Sequence, residues 1–197
     1  MKISNRLSCK PYLIFYKLLI KARESKQDAI ESILIASFDK ETNEVDARYV
    51  NLKYIDKDQW IFFTNYNSPK SQHFKNHPQI SAVFYWHKIK TQIRIKASIN
   101  KTSRNFNEMH FKSRENEKNA LAISSFQSME IESYIKVKEN FNKSIKLDDL
   151  QSCPHYWGGY SFSPFYFEFW QGHKSRLNKR DTYTLNDGNW DHSIIQP

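Results

Sequence analysis

Between Thr91 and Ile99 the chain alternates cleanly: Ile93, Ile95, Ala97 and Ile99 fall on one side, Gln92, Arg94, Lys96 and Ser98 on the other. That period of two belongs to a strand with one face in a core and the other toward water or a ligand. Other β-rich runs are SILIASF (Ser32–Phe38), ARYVNLKYI (Ala47–Ile55), WIFFT (Trp60–Thr64) and ISAVFYW (Ile80–Trp86). The polar clusters KETNE and DKD separate the first three as turns, which predicts an antiparallel meander. From Pro11 to about Ser25 the chain reads as a helix, with Pro near the first turn and Lys and Arg toward the end. Ser68-Pro69 gives an N-cap and first-turn signal for a short helix that Pro78 stops. Asn105 to Phe111 reads as helical, with Asn105 and Glu108 at capping-box spacing, and a polar, helix-prone region continues to about Asn142. Strands return in YWGGYSFS, FYFEFWQ and TYTL. Helix, five strands, helices, then more strands predicts a mainly β, α+β fold, an antiparallel barrel with helices attached to it.

Composition narrows this picture. With 197 residues, 39% of them hydrophobic, the chain is long enough for one domain with a real core and short for two, so 1–197 is read as a single domain. An aromatic content of 15% suits half-buried pleated surfaces. The net charge of +9 suits polyanions or phosphorylated small molecules and does not choose between them. Cys9 and Cys153 are the only cysteines; without a CxxC pair or a disulfide framework, a reducing compartment is expected and no metal site. The apolar run YLIFYKLLI (Tyr12–Ile20) is too short to span a bilayer and is interrupted by Lys17, and no small-residue cleavage site follows it, so a cytoplasmic protein is expected. Neither GxGxxG nor the phosphate-loop pattern GxxxxGK occurs, so nucleotide binding by those routes has no support.

Candidate chemistry concentrates near the C-terminus, in FEFWQGHKSRLNKR (Phe167–Arg180). In a strand, Phe167 and Phe169 share one face while Trp170 shares Glu168's; Gly172 lets the chain turn, and Arg176 and Arg180 follow. Arg both forks onto phosphate and stacks on flat rings, so an indole beside arginines fits a flat anionic ligand. A core Trp beside a surface cationic loop fits the same letters. Ser68-Pro69-Lys70 offers an anion the free N–H groups of a helix start plus a full charge, and it is also an ordinary helix start. In the third cluster Arg48, Val50 and Leu52 share one strand face and Tyr49, Asn51 and Lys53 the other. A polar pair, Gln127-Ser128, stands in a loop-like stretch.

Taken in order, these stretches resemble the pyridoxamine (pyridoxine) 5′-phosphate oxidase family of flavoproteins from about Lys10 to Pro197. RYVNLK is similar to that family's R-x-V-L-L-K, FTNYNSPK to its Y-T-N-x-x-S-R-K, and YWHKIKTQIRI to the segment at its P-W-H. Ser113-Arg114 ahead of Gln127-Ser128 resembles its S-R and Q-S pairs; Trp157-Gly158-Gly159 and EFWQGHKSRLNKR resemble its W-G-G and E-F-W-Q-G-x-x-x-R-L-x-x-R. The resemblance implies a split β-barrel that forms a homodimer and binds FMN at the subunit interface. It implies that Arg48 and Lys70, helped by Ser128, hold the FMN phosphate, that Gln92 and Gln127 reach the flavin's polar edge or polyol, and that Trp170 and Arg180 sit against the isoalloxazine. Tyr49, Val50, Asn51, Leu52 and Lys53, with Phe63 and Thr64, would complete the flavin wall. Substrate contacts carried over by position are Lys53, His110, Arg114, Lys118, Arg176 and Asn178, with Lys53 and Arg176 positioning the reacting molecule. Four of the matched positions depart from the family: His110 stands for a Tyr, Lys118 for a Ser, Asn178 for a His and Pro69 for an Arg. Lys118 adds a charge able to grip a phosphate, as does His110 if protonated. Little of the family's basic N-terminal extension precedes Lys10.

The implied activity is an FMN-dependent oxidase that converts pyridoxamine or pyridoxine 5′-phosphate to pyridoxal 5′-phosphate with dioxygen as acceptor. Two alternatives share the site: an oxidoreductase of the same fold with a different substrate, and a flavin-binding protein without turnover. A nucleic-acid binder would use the same positive charge, but the cations coincide with the flavin positions, so neither nucleic acid nor membrane is expected as a partner.

Overall fold

The computed structural model describes residues 1–197. In chain order its elements are β1 (Lys2–Ser4), α1 (Lys10–Glu24), β2 (Ser32–Asp39), β3 (Glu44–Asn51), β4 (Tyr54–Asp56), β5 (Gln59–Asn65), α2 (Pro69–Asn76), β6 (Gln79–Trp86), β7 (Thr91–Lys101), α3 (Arg104–Lys112), α4 (Asn116–Ser124), α5 (Tyr134–Leu147), β8 (Trp157–Gln171), β9 (Lys179–Asn186) and β10 (Asn189–Ile194). The fold class is α+β, as expected. The strands form one ten-stranded sheet with the path β1-β4-β5-β8-β7-β6-β2-β3, and β9 and β10 branch from β8.

Two features correct the expected antiparallel barrel. The sheet is mixed, because β1 runs parallel to β4, and its path is open, with β1 at one end and β3 at the other. Neither β1 nor β10 stood out in the sequence: β1 is three residues long, and β10 is mostly exposed and pairs only with β9. The expected single run Ala47–Ile55 is two strands, because Leu52 turns into the core and its backbone N–H bonds Glu31 rather than a ladder partner.

The two tail strands YWGGYSFS and FYFEFWQ are one 15-residue strand, β8, which at about 3.3 Å per residue spans about 50 Å. Pro164 sits inside it at a register shift that leaves Phe165 unpaired opposite β7, the bulged setting in which a strand tolerates a residue without an N–H. That length lets β8 pair along one edge with β7 and along the other with β5 first and β9 afterwards. The expected cap at Asn105 is two residues too late: Ser103 is the N-cap of α3, its hydroxyl accepting from the Phe106 N–H.

Elsewhere the pattern holds. Pro11 stands in the first turn of α1, and Pro69 in the first turn of α2. Tyr12, Phe15, Leu19 and Ala22 form the buried stripe of α1, with Phe15 at 4.5 Å ring-centroid distance from Trp60. They join a core of 26 residues that includes Ile93, Ile95, Ala97 and Ile99 of β7. A smaller cluster of Phe111, Cys153 and Trp157, with Phe63 packed on it, lies apart from that core and supports the site. No helix is long and apolar enough to cross a membrane.

Candidate functional site

A cleft of about 870 Å³ opens between β3, β5, the start of α2, and the α3–α4 region with the loop after it. Strand alternation brings Arg48 and Val50 inward along β3, and Leu52 continues that face into the core, where it is fully buried. The cleft thus takes in Arg48, Tyr49, Val50, Asn51 and Lys53 but not Leu52. Phe63 and Thr64 of β5, Lys70, and the loop pair Gln127-Ser128 also line it, as do His110, Arg114 and Lys118. Pro69, standing where the resemblance has an arginine, lies on its rim without a charge to offer.

Lys70 is the most informative of these side chains. It is only 6% exposed, yet its ammonium finds only hydroxyls, Ser68 Oγ at 3.1 Å and Thr64 Oγ1 at 3.3 Å. Burial, and secondarily the positive field of Arg48, lower its pKa to about 8, only partly offset by Asp46, whose carboxylate is already paired with Arg48. A buried cation without a counter-ion is costly unless an anion arrives. Arg48 is braced behind it: Nη1 donates to Ser37 Oγ at 2.7 Å and to the Ile35 carbonyl at 3.3 Å, and Nη2 pairs with Asp46. Gln127 Oε1 accepts from Thr64 Oγ1 at 3.1 Å and the Asn65 N–H at 3.3 Å, so its Nε2 is the end left for a ligand. Ser128 holds φ at +69°, an uncommon conformation for a residue with a Cβ.

The other end of the cleft is an aromatic stack. Phe63, His110 and Trp157 lie nearly parallel and mutually close, Phe63 at 3.8 Å from His110 and 5.1 Å from Trp157, and His110 at 6.1 Å from Trp157; the Arg114 guanidinium sits 4.5 Å from the indole. Arg114 Nη1 is buried without a partner, while Nη2 donates to the Lys118 carbonyl. His110 Nδ1 is 2.8 Å from the Tyr54 hydroxyl. Burial first, then Arg114, Lys53 and Lys2, push its pKa down to about 4, so the ring is neutral near pH 7 and lacks the proton with which it could grip a phosphate. Lys118 is paired with Glu115 at 2.9 Å and largely exposed, and Lys53 reaches Glu31 at 2.7 Å.

Local structure fixes this end. Asn107 of α3 accepts from the Gly159 N–H at 2.8 Å and donates to the Tyr66 hydroxyl at 3.0 Å, locking α3 onto the start of β8. A Cβ on Gly158 would run into that same tyrosine hydroxyl, which explains the Gly after Trp157.

Besides Leu52, five expected site residues lie outside the cleft. Gln92, Trp170 and Arg180 are register partners in a row across β7, β8 and β9. Arg180 puts Nε and Nη2 on Glu168 Oε1 at 2.9 and 2.7 Å, while Arg94 Nη1 takes Oε2 at 2.8 Å. Arg176 and Asn178 lie in the adjoining β8–β9 turn, Arg176 at φ +60° and Asn178 accepting from the His173 N–H at 3.0 Å. The sequence reading missed the structural part of Trp157, whose signal was the Trp-Gly-Gly stretch, and the counter-ion role of Glu168, visible only as a carboxylate on Trp170's face.

Residues 22–136 match the family model described as pyridoxamine 5′-phosphate oxidase, and residues 157–197 match the pyridoxine 5′-phosphate oxidase C-terminal dimerisation region. A pyridoxine/pyridoxamine 5′-phosphate oxidase of Hydrogenovibrio crunogenus is 31% identical over 195 residues, covering 97% of this chain and 90% of that protein. The pyridoxine-5′-phosphate oxidase of Dictyostelium discoideum is 33% identical over 192 residues, 94% of this chain and 82% of its own. Among solved structures, PhzG from Burkholderia lata, in complex with tetrahydrophenazine-1-carboxylic acid, superposes with a TM-score of 0.89 at 21% identity, covering 95% of this chain and 93% of that one. A pyridoxamine 5′-phosphate oxidase-related, FMN-binding protein from Nostoc punctiforme superposes at 0.77 with 12% identity, covering 96% and 99%.

Proposed function

The chain belongs to the pyridoxine/pyridoxamine 5′-phosphate oxidase family, and from that premise we propose that it is an FMN-dependent oxidase converting pyridoxamine or pyridoxine 5′-phosphate to pyridoxal 5′-phosphate, with dioxygen as acceptor. The observation that carries the cofactor side is Lys70, buried beside Arg48 with no carboxylate of its own, which suits a phosphate rather than water. In this reading Arg48, Lys70 and Ser128 hold the FMN phosphate, Gln127 reaches the polyol or flavin edge, and Tyr49–Lys53 with Phe63 and Thr64 form the wall. The whole chain, 1–197, acts as one domain, working as a homodimer.

The row Gln92–Trp170–Arg180 belongs to the C-terminal segment matched to a dimerisation region and to the strand beside it, and it is not part of the cleft. A second copy accounts for both facts, its row closing over the flavin held in the first copy's cleft. Bound flavin supplies the acceptor for a hydride from the substrate's 4′ carbon and passes the electrons on to dioxygen. The chain's share is binding and alignment. Arg114, with its unpartnered buried Nη1, takes the substrate phosphate; Lys53 and Lys118 add charge at the rim, and Arg176 and Asn178 approach from the turn of the other copy. Neutral His110 contributes a stacked face and a hydrogen bond with Tyr54.

The test is an anaerobic titration of the purified protein with pyridoxamine 5′-phosphate. Bleaching of bound FMN, followed in air by stoichiometric pyridoxal 5′-phosphate and hydrogen peroxide, is the expected result. FMN that stays oxidised would leave the second reading, an oxidoreductase with another substrate, which the neutral His110 and the self-paired Lys118 favour.

A further inference from the structure

Behind Arg48, away from the cleft, lies a buried polar chain that the reading above does not use. Ser37 of β2 is 2% exposed, and its Oγ receives Arg48 Nη1 at 2.7 Å and faces His73 Nδ1 at 3.0 Å. His73 is 8% exposed, and its Nε2 lies 3.6 Å from Asp39 Oδ2. That last separation is too long for a hydrogen bond but short enough for the carboxylate to bias where the imidazole proton sits. Asp39 favours the proton on Nε2, which leaves Nδ1 as the acceptor, so Ser37 donates to His73 and offers its lone pairs to Arg48. Each hydrogen bond in such a chain polarises the next, making Ser37 Oγ the stronger acceptor for the guanidinium.

The topology makes the arrangement rigid. Ser37 and Asp39 alternate onto one face of β2, and the β2–β3 register sets Arg48 opposite Ile35 and Asp46 opposite Ser37. Helix α2 carries Lys70 and His73 three residues apart, on neighbouring positions of its surface. One helix therefore delivers a cation to the cleft and an imidazole to the brace behind the adjoining arginine.

We propose that Asp39, His73 and Ser37 are positioning residues that hold the Arg48 guanidinium in the orientation that receives the cofactor phosphate. The inference rests on the FMN reading above. Its test compares FMN with riboflavin, which lacks the phosphate, by quenching of flavin fluorescence on the full-length apo-dimer. Ser37→Ala and His73→Leu are each expected to weaken FMN about ten- to hundredfold, the equivalent of one hydrogen bond to a charged group, while riboflavin affinity changes less than about twofold. His73→Gln, whose amide again accepts from Ser37, is expected to restore most of the FMN affinity. Equal losses for both flavins would show a merely structural role and overturn the proposal, as would unchanged FMN affinity in both variants. Should one variant fail to fold, the other decides by the same ratio. Wild-type protein that binds neither flavin would sink the cofactor reading itself, an outcome distinct from a wild type that binds FMN and variants that match it.

Discussion

Lys70 and Arg180 are both cations that the resemblance assigns to one cofactor, yet their surroundings are opposite. Arg180 lies against Glu168, a carboxylate 2% exposed that also binds Arg94 and accepts from the Tyr166 hydroxyl at 3.2 Å. Lys70 is buried more deeply than Arg180 and lies among hydroxyls, with the acid in its field already engaged by Arg48. In the first cluster each cation touches a carboxylate directly, and the group holds its shape unaided. The second stores an unbalanced charge that an incoming anion relieves. The difference separates two uses of a cation: one fixes where a surface lies, the other makes binding favourable.

The comparison breaks most visibly at Glu168. Glu168→Gln leaves two partly exposed guanidiniums, 41% and 24% accessible, facing a neutral amide, and losing hydrogen bonds to a charged group costs about 1.5–3 kcal/mol. A loss of that size is expected in chemical denaturation of the apo-protein; wild-type stability in the variant would mean that the arginines are independently solvated.

Lys70→Met is expected to act with the opposite sign on the empty protein. Removing an uncompensated buried charge raises apo stability, while FMN affinity falls about ten- to hundredfold, or about 1.5–3 kcal/mol. The pH dependence gives the same contrast. With a folded pKa of about 8 against 10.5 unfolded, the unfolded chain binds more protons between those values, so apo stability rises with pH across that window and is lost again as pH falls through 8. A denaturation series from pH 7 to 11 should show that rise in the wild type and a flatter limb in Lys70→Met. Equal slopes would place the ammonium in water.

Much of this was legible in the sequence, and what was not has a physical cause. The clean alternation of Ile93, Ile95, Ala97 and Ile99 placed β7 correctly, because one face is core and the other is not. Pro11 and Pro69 marked helix starts because a proline there forfeits no helical bond. β1 and β10 were invisible because edge strands are held by backbone pairing, which leaves little trace in side-chain pattern. The continuity of β8 through Pro164 depends on a bulge facing β7, a tertiary fact. At the site, ordered motifs named the residues, but whether each cation has a counter-ion depends on strands far apart in sequence: Arg94, Glu168 and Arg180 meet only through register. The charge of His110 was likewise open from sequence, since it depends on burial and on Arg114 and Lys53 nearby.

His110 offers the smallest effect and the finest test. Its folded pKa of about 4 lies below the ordinary value of 6.5, so the unfolded chain binds the extra proton between them; its stabilising share is present above 6.5 and is lost as pH falls toward 4. His110→Phe keeps the stack on Phe63 and removes the titration, so the acid limb of the stability curve should flatten while catalysis is altered only by the lost hydrogen bond to Tyr54, about 0.5–1.5 kcal/mol. Between pH 6 and 8 the wild-type and variant kcat/KM profiles should run parallel, because a ring already neutral has no proton to lose. An inflection near pH 6.5 in the wild type that vanishes in the variant would show a charged imidazole at work, and the substrate end of the cleft would then owe its phosphate grip to His110 as well as to Arg114.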